Sequence, residues 1–335
     1  ADIARFTKGG DLFGLPAPEY DRRILEKTLS HLAKNGVPNV LTIHFLGLDH
    51  ESHAHGPGAQ MGYLVNHIDP MVGELWRVVS SQAEPGAFLV AIFSDHGQIE
   101  VQPDDRHSLR LAFPFEREMG HLFDALGLDV HDYPGEDPAC DAVVASNGGT
   151  AHVYLRNRRG DWGQVPDFER DVLPVGRAFW QAHATGRYAA ELEGALSGVM
   201  ISSAEDGWDA PYQALTPEGE IIPLQRWFSS QPEGLYVDPV RRLNNLAGPM
   251  SGDLLLVSNY ADGFYFGAPT RGVHGGLHPQ DSGATLVYGF PQVGNADAET
   301  LSARVRDAIQ SRCQREGDRQ PSTADLWTGL QAVLK

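Results

Sequence analysis

Two short apolar runs, each followed at once by Asp and His residues, constrain the fold of this chain more than any other feature. Residues 40–46 and 87–93 are rich in Val, Ile, Leu and Phe and contain no Asp, Glu, Lys or Arg. Runs of this length and composition predict strands that are buried on both faces of a sheet. In open α/β sheets, binding sites form just outside the carboxyl ends of such strands.

The first run leads into Asp49 and His53, which are four residues apart. At that spacing, one helical turn or a tight loop lets both side chains converge on one point. A carboxylate oxygen and a neutral imidazole are ordinary ligands of zinc and related divalent metals. The segment therefore predicts part of a metal site, and the alternative is a His-rich surface turn.

The second run ends in Asp95, His96 and Gly97, which repeats the arrangement with new ligands. The glycine permits the tight turn that such a strand end needs. A third motif, His274 followed by Gly275, precedes another predicted strand at residues 284–288. Taken together, the three motifs predict a metal centre built from Asp and His side chains.

The order of the remaining patterns predicts an α/β protein. Residues 19–34 form an amphipathic helix pattern that stops at Gly36, and residues 62–83 are helical in pattern with a kink or late start at Pro70. Further strand and helix patterns occupy residues 253–258, 298–314 and 323–334. Strand, site loop, helix and strand alternate, which favours a parallel sheet covered on both faces.

Residues 101–248 differ in character from the flanking sequence. Clusters of Asp, Pro, Asn and Gly interrupt them, short strand patterns occur at 151–155 and 198–202, and the segment contains Trp162, Trp180, Trp208 and Trp227. We interpret the segment as an insertion into the flanking α/β pattern. The alternative is that the aromatic side chains fill a small core of their own.

Composition limits the classes of partner. The formal charge of −18 over 335 residues argues against nonspecific binding to nucleic acid or to anionic membranes. The sequence has no apolar run long enough for a transmembrane helix, and its two cysteines, Cys140 and Cys313, could pair but do not make a disulfide scaffold.

The motifs make the chain resemble the alkaline phosphatase superfamily, most closely its type I phosphodiesterase and nucleotide pyrophosphatase branch. The matching segments are Asp49-x-x-x-His53-x-x-Gly56-Pro57, Ser94-Asp95-His96-Gly97, Ser251-Gly252-Asp253-Leu254, Gly272-x-His274-Gly275 and Tyr288-Gly289-Phe290-Pro291. The resemblance implies a three-layer α/β sandwich with a mostly parallel central sheet and an inserted cap. It implies a metal-binding core at residues 1–100 and 249–335 and a cap at residues 101–248.

The resemblance also implies the chemistry. Two divalent metal ions, zinc first and manganese as the alternative, would lie side by side, with Asp49, His53 and His274 holding one ion and Asp95 and His96 holding the other. The activity would be hydrolysis of small-molecule phosphodiesters or nucleotide pyrophosphates. A phosphomonoesterase, a sulfatase-like hydrolase or a phosphomutase of the same superfamily is the alternative, and a duplex nucleic acid substrate is not expected.

One feature of the family is not found in the sequence. Family members have an upstream strand that ends in an Asp ligand, followed by a Ser or Thr nucleophile, and residues 1–18 contain no such pattern. We therefore expect the nucleophile to lie upstream of residue 1 and assign no catalytic residue. The alternative is an inactive metal-binding pseudoenzyme or ligand-binding fragment. The resemblance slightly favours a periplasmic or secreted location, although no signal peptide is visible.

Several other polar residues have competing interpretations. His50 and His55 are either neighbours of the ligands or exposed, and His278 is an alternative to His274. His44 is predicted to be a buried strand histidine, Asp253 a turn or cap residue, and Arg271 either a phosphate-binding or a surface arginine. The hydroxyls nearest the motifs belong to Thr42 and Ser94, and neither occupies the position of the family nucleophile.

Overall fold

The computed structural model describes residues 11–12, 15–82, 88–110, 118–131, 139–159, 161–202, 207, 210–291, 293–317 and 319–334. The chain divides into two compact units. Unit 1 comprises Ala1–Gly97 and Gly283–Lys335, and unit 2 comprises Gln98–Ser282. The predicted division into a core and an inserted cap stays a prediction.

Unit 1 is mainly helical. Its helices are α1 (Ala17–Asn35), α2 (Gly47–His55), α3 (Gln60–Tyr63), α4 (Asp69–Gln82), α10 (Asn295–Arg315) and α11 (Leu326–Val333). Its strands are β1 (Asp11–Leu12), β2 (Leu15–Pro16), β3 (Val90–Phe93) and β15 (Leu286–Gly289), which pair antiparallel as β1 with β2 and β3 with β15. Leu25 and Leu32 of α1 pack against Met71 and Leu75 of α4 in a buried cluster.

Most helix predictions in unit 1 are confirmed. Helix α1 ends at Gly36, whose φ of 74° and N–H bond to the Leu32 carbonyl make it the stop that the sequence indicated. A π-helical turn, Leu64–Ile68, lies between α3 and α4 and accommodates Pro70 at the start of α4. Ser322 and Asp325 form a capping box before α11.

The first predicted strand is not present. Residues 40–46 lie in an irregular segment between α1 and α2, and Val40 is 82% exposed. His44 is exposed as well, so its interpretation as a buried strand histidine is wrong. A strand needs a neighbour to satisfy its backbone groups, and this segment pairs with none in the part of the chain that the structure describes. Local composition cannot supply that neighbour.

Unit 2 is built on a seven-stranded sheet of order β11-β10-β9-β12-β8-β7-β6. The sheet contains β6 (Val130–His131), β7 (Ala142–Asn147), β8 (Thr150–Leu155), β9 (Leu196–Ile201), β10 (Gln213–Leu215), β11 (Ile221–Pro223) and β12 (Leu254–Ser258). Short ladders join β4 (Ile99–Glu100) to β14 (Gly272–Val273) and β5 (Ser108–Leu109) to β13 (Tyr265–Phe266). The helices are α5 (Glu118–Ala125), α6 (Leu173–Thr185), α7 (Leu224–Ser229), α8 (Pro239–Leu246) and α9 (Pro279–Ser282).

Strand β12, inside the large sheet, is buried on both faces. Leu254 and Leu256 of β12 belong to one apolar cluster with residues of α6, whereas Leu255 and Val257 belong to a second cluster with Leu224 and Leu243. Every residue of β12 is buried, as expected of a strand whose first four residues, Leu254–Val257, are all apolar. Trp180 packs in the first cluster and donates its indole N–H to the Leu215 carbonyl at 2.7 Å.

The prediction of a mixed α/β protein is confirmed. Parallel pairing, which the sequence analysis expected to dominate, occurs at β6 with β7 and at β5 with β13, and the other described ladders are antiparallel. Strands β7 and β8 must run antiparallel because only Gly148 and Gly149 connect them. The three-layer arrangement and the cap remain predictions.

The structure bears on two predictions from composition, one about membrane-spanning helices and one about a disulfide. No helix among the described residues combines the length and the apolar character needed to span a membrane. Cys140 and Cys313 are both buried and both free, so the possible disulfide is not formed.

Candidate metal centre

Asp49 and His53 lie on one face of α2, at the i and i+4 positions that the sequence predicted. Asp49 Oδ1 and His53 Nε2 are 3.4 Å apart, and the two side chains are 43% and 34% exposed. Two donors each about 2.1 Å from a tetrahedral zinc ion are separated by about 3.4 Å. The helix therefore holds this pair at the spacing that one shared ion requires.

A second pair of the same kind occupies a different face of α2. Glu51 and His55 are also at i and i+4, and His55 Nδ1 lies 3.1 Å from Glu51 Oε1. At 100° per residue, this pair is rotated about 200° around the helix from Asp49 and His53. His55 is thus directed away from the predicted ligands, which favours the interpretation of it as an exposed residue.

A buried carboxylate fixes the start of α2. Asp21, on α1, accepts the backbone N–H of Leu46 at 3.0 Å and that of Gly47 at 3.1 Å, and it accepts the Tyr63 hydroxyl at 2.9 Å. These N–H groups belong to the first turn of a helix, which has no partners for them within the helix itself. Burial raises the pKa of Asp21, and the hydrogen bonds from Tyr63, Gly47 and Leu46 oppose that rise.

Gly47 is required by this arrangement. A Cβ at position 47 would lie 1.8 Å from the Tyr63 hydroxyl oxygen and 2.4 Å from Asp21 Oδ2. The sequence analysis missed Asp21, although a signal was present. Asp21 lies on the buried stripe of α1 together with Leu25 and Leu32, and an Asp in an apolar stripe needs a partner.

Asp95 and His96 follow β3, as predicted. Ser94 Oγ accepts the Thr285 N–H at 2.9 Å and ties the motif to the segment before β15. His96 Nδ1 lies 2.9 Å from the Gly97 carbonyl oxygen, which can only accept, so Nδ1 carries the proton. His96 Nε2 then presents its lone pair, and it lies 3.6 Å from Asp95 Oδ1. A histidine whose other ring nitrogen donates to a carbonyl is typical of metal ligands.

The two motifs of unit 1 approach each other. Asp49 and His96 each offer one ligand atom, and these two atoms lie within 4.8 Å of one another. They are separated by 47 positions in sequence, so the proximity is a property of the folded unit and not of local spacing. Carboxylate and imidazole donors fit zinc, and they also fit manganese.

His274 lies in unit 2, in a loop whose backbone is held by hydrogen bonds at successive positions. The carbonyls of His274 and Gly275 accept from Gly149 N–H at 3.0 Å and from Thr150 Oγ1 at 2.8 Å. The N–H of Gly276 donates to Asp281 Oδ2 at 2.7 Å.

The following residues of the loop are held in the same way. The Gly276 carbonyl accepts from Arg242 at 2.9 Å, and the same guanidinium donates to Ser282 Oγ at 2.6 Å. The N–H of Leu277 donates to the Tyr260 hydroxyl at 2.8 Å, and its carbonyl accepts from the backbone N–H of Val237 at 2.9 Å. The loop that carries His274 is therefore fixed from several elements of unit 2.

Glycines allow this close packing. A Cβ on Gly148, whose φ is +59°, would lie 2.2 Å from the His274 carbonyl oxygen, and a Cβ on Gly276 would lie 2.0 Å from the Tyr260 hydroxyl oxygen. The sequence analysis interpreted residues 147–149 only as a break in the insertion. Gly148 and Gly149 do connect β7 to β8, and they also contact the backbone of the His274 loop. The paired glycines in both segments were the available signal.

The remaining candidates have structural roles that can be stated. His278 Nδ1 accepts the Gln280 N–H at 3.2 Å, and its role as an alternative to His274 stays a prediction. Asp253 is buried at the start of β12 and accepts the Leu155 N–H at 2.8 Å, which fits its interpretation as a turn or cap residue. Arg271 and Thr42 are exposed.

The comparisons with known proteins agree with these motifs. The family model of type I phosphodiesterase / nucleotide pyrophosphatase matches residues 13–225, which is more than half of the chain. A search of curated proteins found no match. The matched range includes Asp49, His53, Asp95 and His96 and excludes His274. The chain belongs to the type I phosphodiesterase / nucleotide pyrophosphatase family, within the alkaline phosphatase superfamily.

Proposed function

We propose that this protein hydrolyses phosphoesters, specifically phosphodiesters or nucleotide pyrophosphates, at a site for two divalent metal ions. The observation that carries the proposal is the approach of Asp49 and His96, from two separate motifs, to within 4.8 Å. Following the family, Asp49, His53 and His274 would hold one ion and Asp95 and His96 the other. Zinc is the first choice for both ions, and manganese is the alternative.

The role of His274 rests on the family pattern. Within unit 2, strand β14 ends directly before His274 and pairs antiparallel with β4, with Val273 opposite Ile99. This ladder fixes the backbone that leads into His274.

The proposed chemistry explains why the predicted ligands are all Asp or His. When bound, two divalent ions would neutralise charge on the phosphoryl oxygens and lower the pKa of an attacking hydroxyl or water. The protein residues would position the ligands: Asp21 fixes the start of α2, which carries Asp49 and His53, and the Gly97 carbonyl orients His96. A chain of formal charge −18 needs such local neutralisation to admit an anionic ester. A small-molecule ester would be repelled less by this negative charge than duplex nucleic acid. We also propose the periplasmic or secreted location that the resemblance slightly favours.

The first experiment measures metal content and activity on the same preparations. The protein is stripped with a chelator, reconstituted with zinc or manganese, and assayed with bis(4-nitrophenyl) phosphate and with 4-nitrophenyl phosphate. His53→Ala is compared with His55→Ala, because both histidines lie on α2 and both pair with a carboxylate four residues earlier. We expect two ions per chain, loss of one ion with His53→Ala alone and, in a protein that carries the nucleophile, hydrolysis of the diester in preference to the monoester.

Different failures lead to different conclusions. A preference for the monoester would favour the phosphomonoesterase alternative over the phosphodiesterase. Two bound ions without turnover of any ester would support the pseudoenzyme. Equal metal content in both variants would refute the ligand assignment on α2.

A further inference from the structure

Each of two predicted ligand segments is held by a buried carboxylate, a tyrosine hydroxyl and a glycine that has no room for a Cβ. In unit 1, the Gly47 N–H donates to Asp21, and the Tyr63 hydroxyl donates to the same carboxylate. Asp21 is fully buried, and Tyr63 is 4% exposed. Gly47 is the first residue of α2, two positions before Asp49.

The second arrangement repeats these parts in unit 2. The Gly276 N–H donates to Asp281, and the Leu277 N–H donates to the Tyr260 hydroxyl. Asp281 is 3% exposed and Tyr260 is 6% exposed. Gly276 lies two positions after His274. A Cβ there would meet the Tyr260 hydroxyl oxygen at 2.0 Å and Asp281 Oδ2 at 2.6 Å, close to the 1.8 Å and 2.4 Å found at Gly47.

We propose that these two clamps, Asp21–Tyr63–Gly47 and Asp281–Tyr260–Gly276, are the positioning devices for the metal ligands. The proposal rests on the proposed function, because it takes Asp49, His53 and His274 as ligands of one ion. None of the clamp residues is a ligand. Each clamp instead fixes the backbone two or more residues from a ligand, and so limits the directions that the ligand side chain can take.

The chemistry of the two segments explains why clamps are needed. The loop from His274 to Leu277 contains two adjacent glycines, which have the greatest backbone freedom of any residue. Helix α2 has only nine residues, and its N-cap, Leu46, provides no side-chain cap. Without the clamps, both segments would often adopt conformations that do not direct their side chains at a metal ion. Metal binding would then be weaker by the free energy needed to order the segments.

Tyrosine-to-phenylalanine variants test the proposal with a matched control. Tyr63→Phe and Tyr260→Phe each remove one clamp hydroxyl, and Tyr212→Phe removes an equally buried hydroxyl that donates to the Gly252 carbonyl at 2.7 Å, outside either clamp. Zinc affinity of the whole chain is measured by competition with a coloured chelator, and thermal unfolding is measured without metal. We expect each clamp variant to lower the affinity for one zinc ion about 10–100-fold, as loss of supporting groups around ligands typically does. Tyr212→Phe should change stability without changing zinc affinity.

Two ligand variants separate the inference from the function on which it rests. If His53→Ala and His274→Ala lower zinc affinity but the clamp variants bind zinc like Tyr212→Phe, the clamps are structural only and the inference is refuted. If His53→Ala and His274→Ala leave zinc affinity unchanged, both the ligand assignment and the inference are refuted. Asp21→Asn and Asp281→Asn, which keep the shape of the side chain, replace any tyrosine variant that does not fold.

Discussion

We predict that Gly47→Ala, which adds one methyl group, lowers the free energy of unfolding more than most such substitutions in unit 1. The added Cβ would lie 1.8 Å from the Tyr63 hydroxyl oxygen and 2.4 Å from Asp21 Oδ2, whereas Cβ contacts under 3.0 Å are essentially not observed. Both oxygens must therefore move. If the Tyr63 hydroxyl moves away from the added methyl group, its 2.9 Å hydrogen bond to Asp21 is broken or distorted.

The size of the effect follows from what the movement leaves without partners. Asp21 is fully buried, so solvent cannot replace a lost donor. Each buried polar group left unsatisfied costs about 1–3 kcal/mol, and the carboxylate and the hydroxyl are both affected, so we expect a loss of about 2–6 kcal/mol. Gly73→Ala is the matched control. It lies inside α4, where a Cβ meets nothing within 4 Å, and it should stabilise the protein by about 0.4–1 kcal/mol.

Urea unfolding followed by circular dichroism, together with hydrogen exchange of the peptide spanning residues 47–63, measures both effects. Exchange in that peptide should accelerate in Gly47→Ala and slow in Gly73→Ala. The reasoning is refuted if the free energy of unfolding of Gly47→Ala lies within about 0.5 kcal/mol of the parent protein, the range of an ordinary surface change.

Two further predictions concern buried charges. Asp325→Ala should cost about 3–5 kcal/mol in urea unfolding. The Arg319 guanidinium is 4% exposed and binds Asp325 at 2.6 and 2.8 Å, and without Asp325 its remaining carboxylate partner is the more exposed Glu316. A loss under about 1 kcal/mol would contradict this. Burial raises the pKa of Asp253 from 3.8 to about 6, so the folded state holds this proton more tightly than the unfolded state. Stability should therefore fall as pH rises through that interval, by about 2–3 kcal/mol more than in Asp253→Asn. Parallel pH profiles of the two proteins would contradict the prediction, which urea titrations at pH 4 and pH 7 can test.

Local patterns in the sequence were enough to predict several elements. Helix α1 and its stop at Gly36 follow from side-chain period and from the left-handed conformation that glycine adopts, both of which act within a few residues. The pairing of Asp49 with His53 follows in the same way, since a four-residue spacing brings two side chains to one helix face whatever the rest of the chain does. The buried strands β8, β9 and β12 were also found, because continuous apolar runs bounded by turns are visible locally.

The clamps could not be found in this way. Asp21 accepts hydrogen bonds from Leu46 and Tyr63, which lie 25 or more positions away in the sequence. Asp281 holds its loop together with Tyr260 and Arg242, which come from separate elements. Each of these residues has an ordinary interpretation when read alone: a helix acid, a core tyrosine or a surface arginine. Only the folded chain shows that their polar atoms meet the backbone of the ligand segments.

The sequence by itself determined the residue types of the proposed centre and the family to which the chain belongs, because the chemistry of Asp and His ligands is carried by short motifs. Tertiary structure decided which segments become strands and what supports the motifs. Residues 40–46 have the composition of a strand yet form none, whereas β12 lies between β8 and β9. The physical reason is that a strand and a buried carboxylate are both completed by partners distant in sequence, and a local pattern states the need for a partner without identifying it.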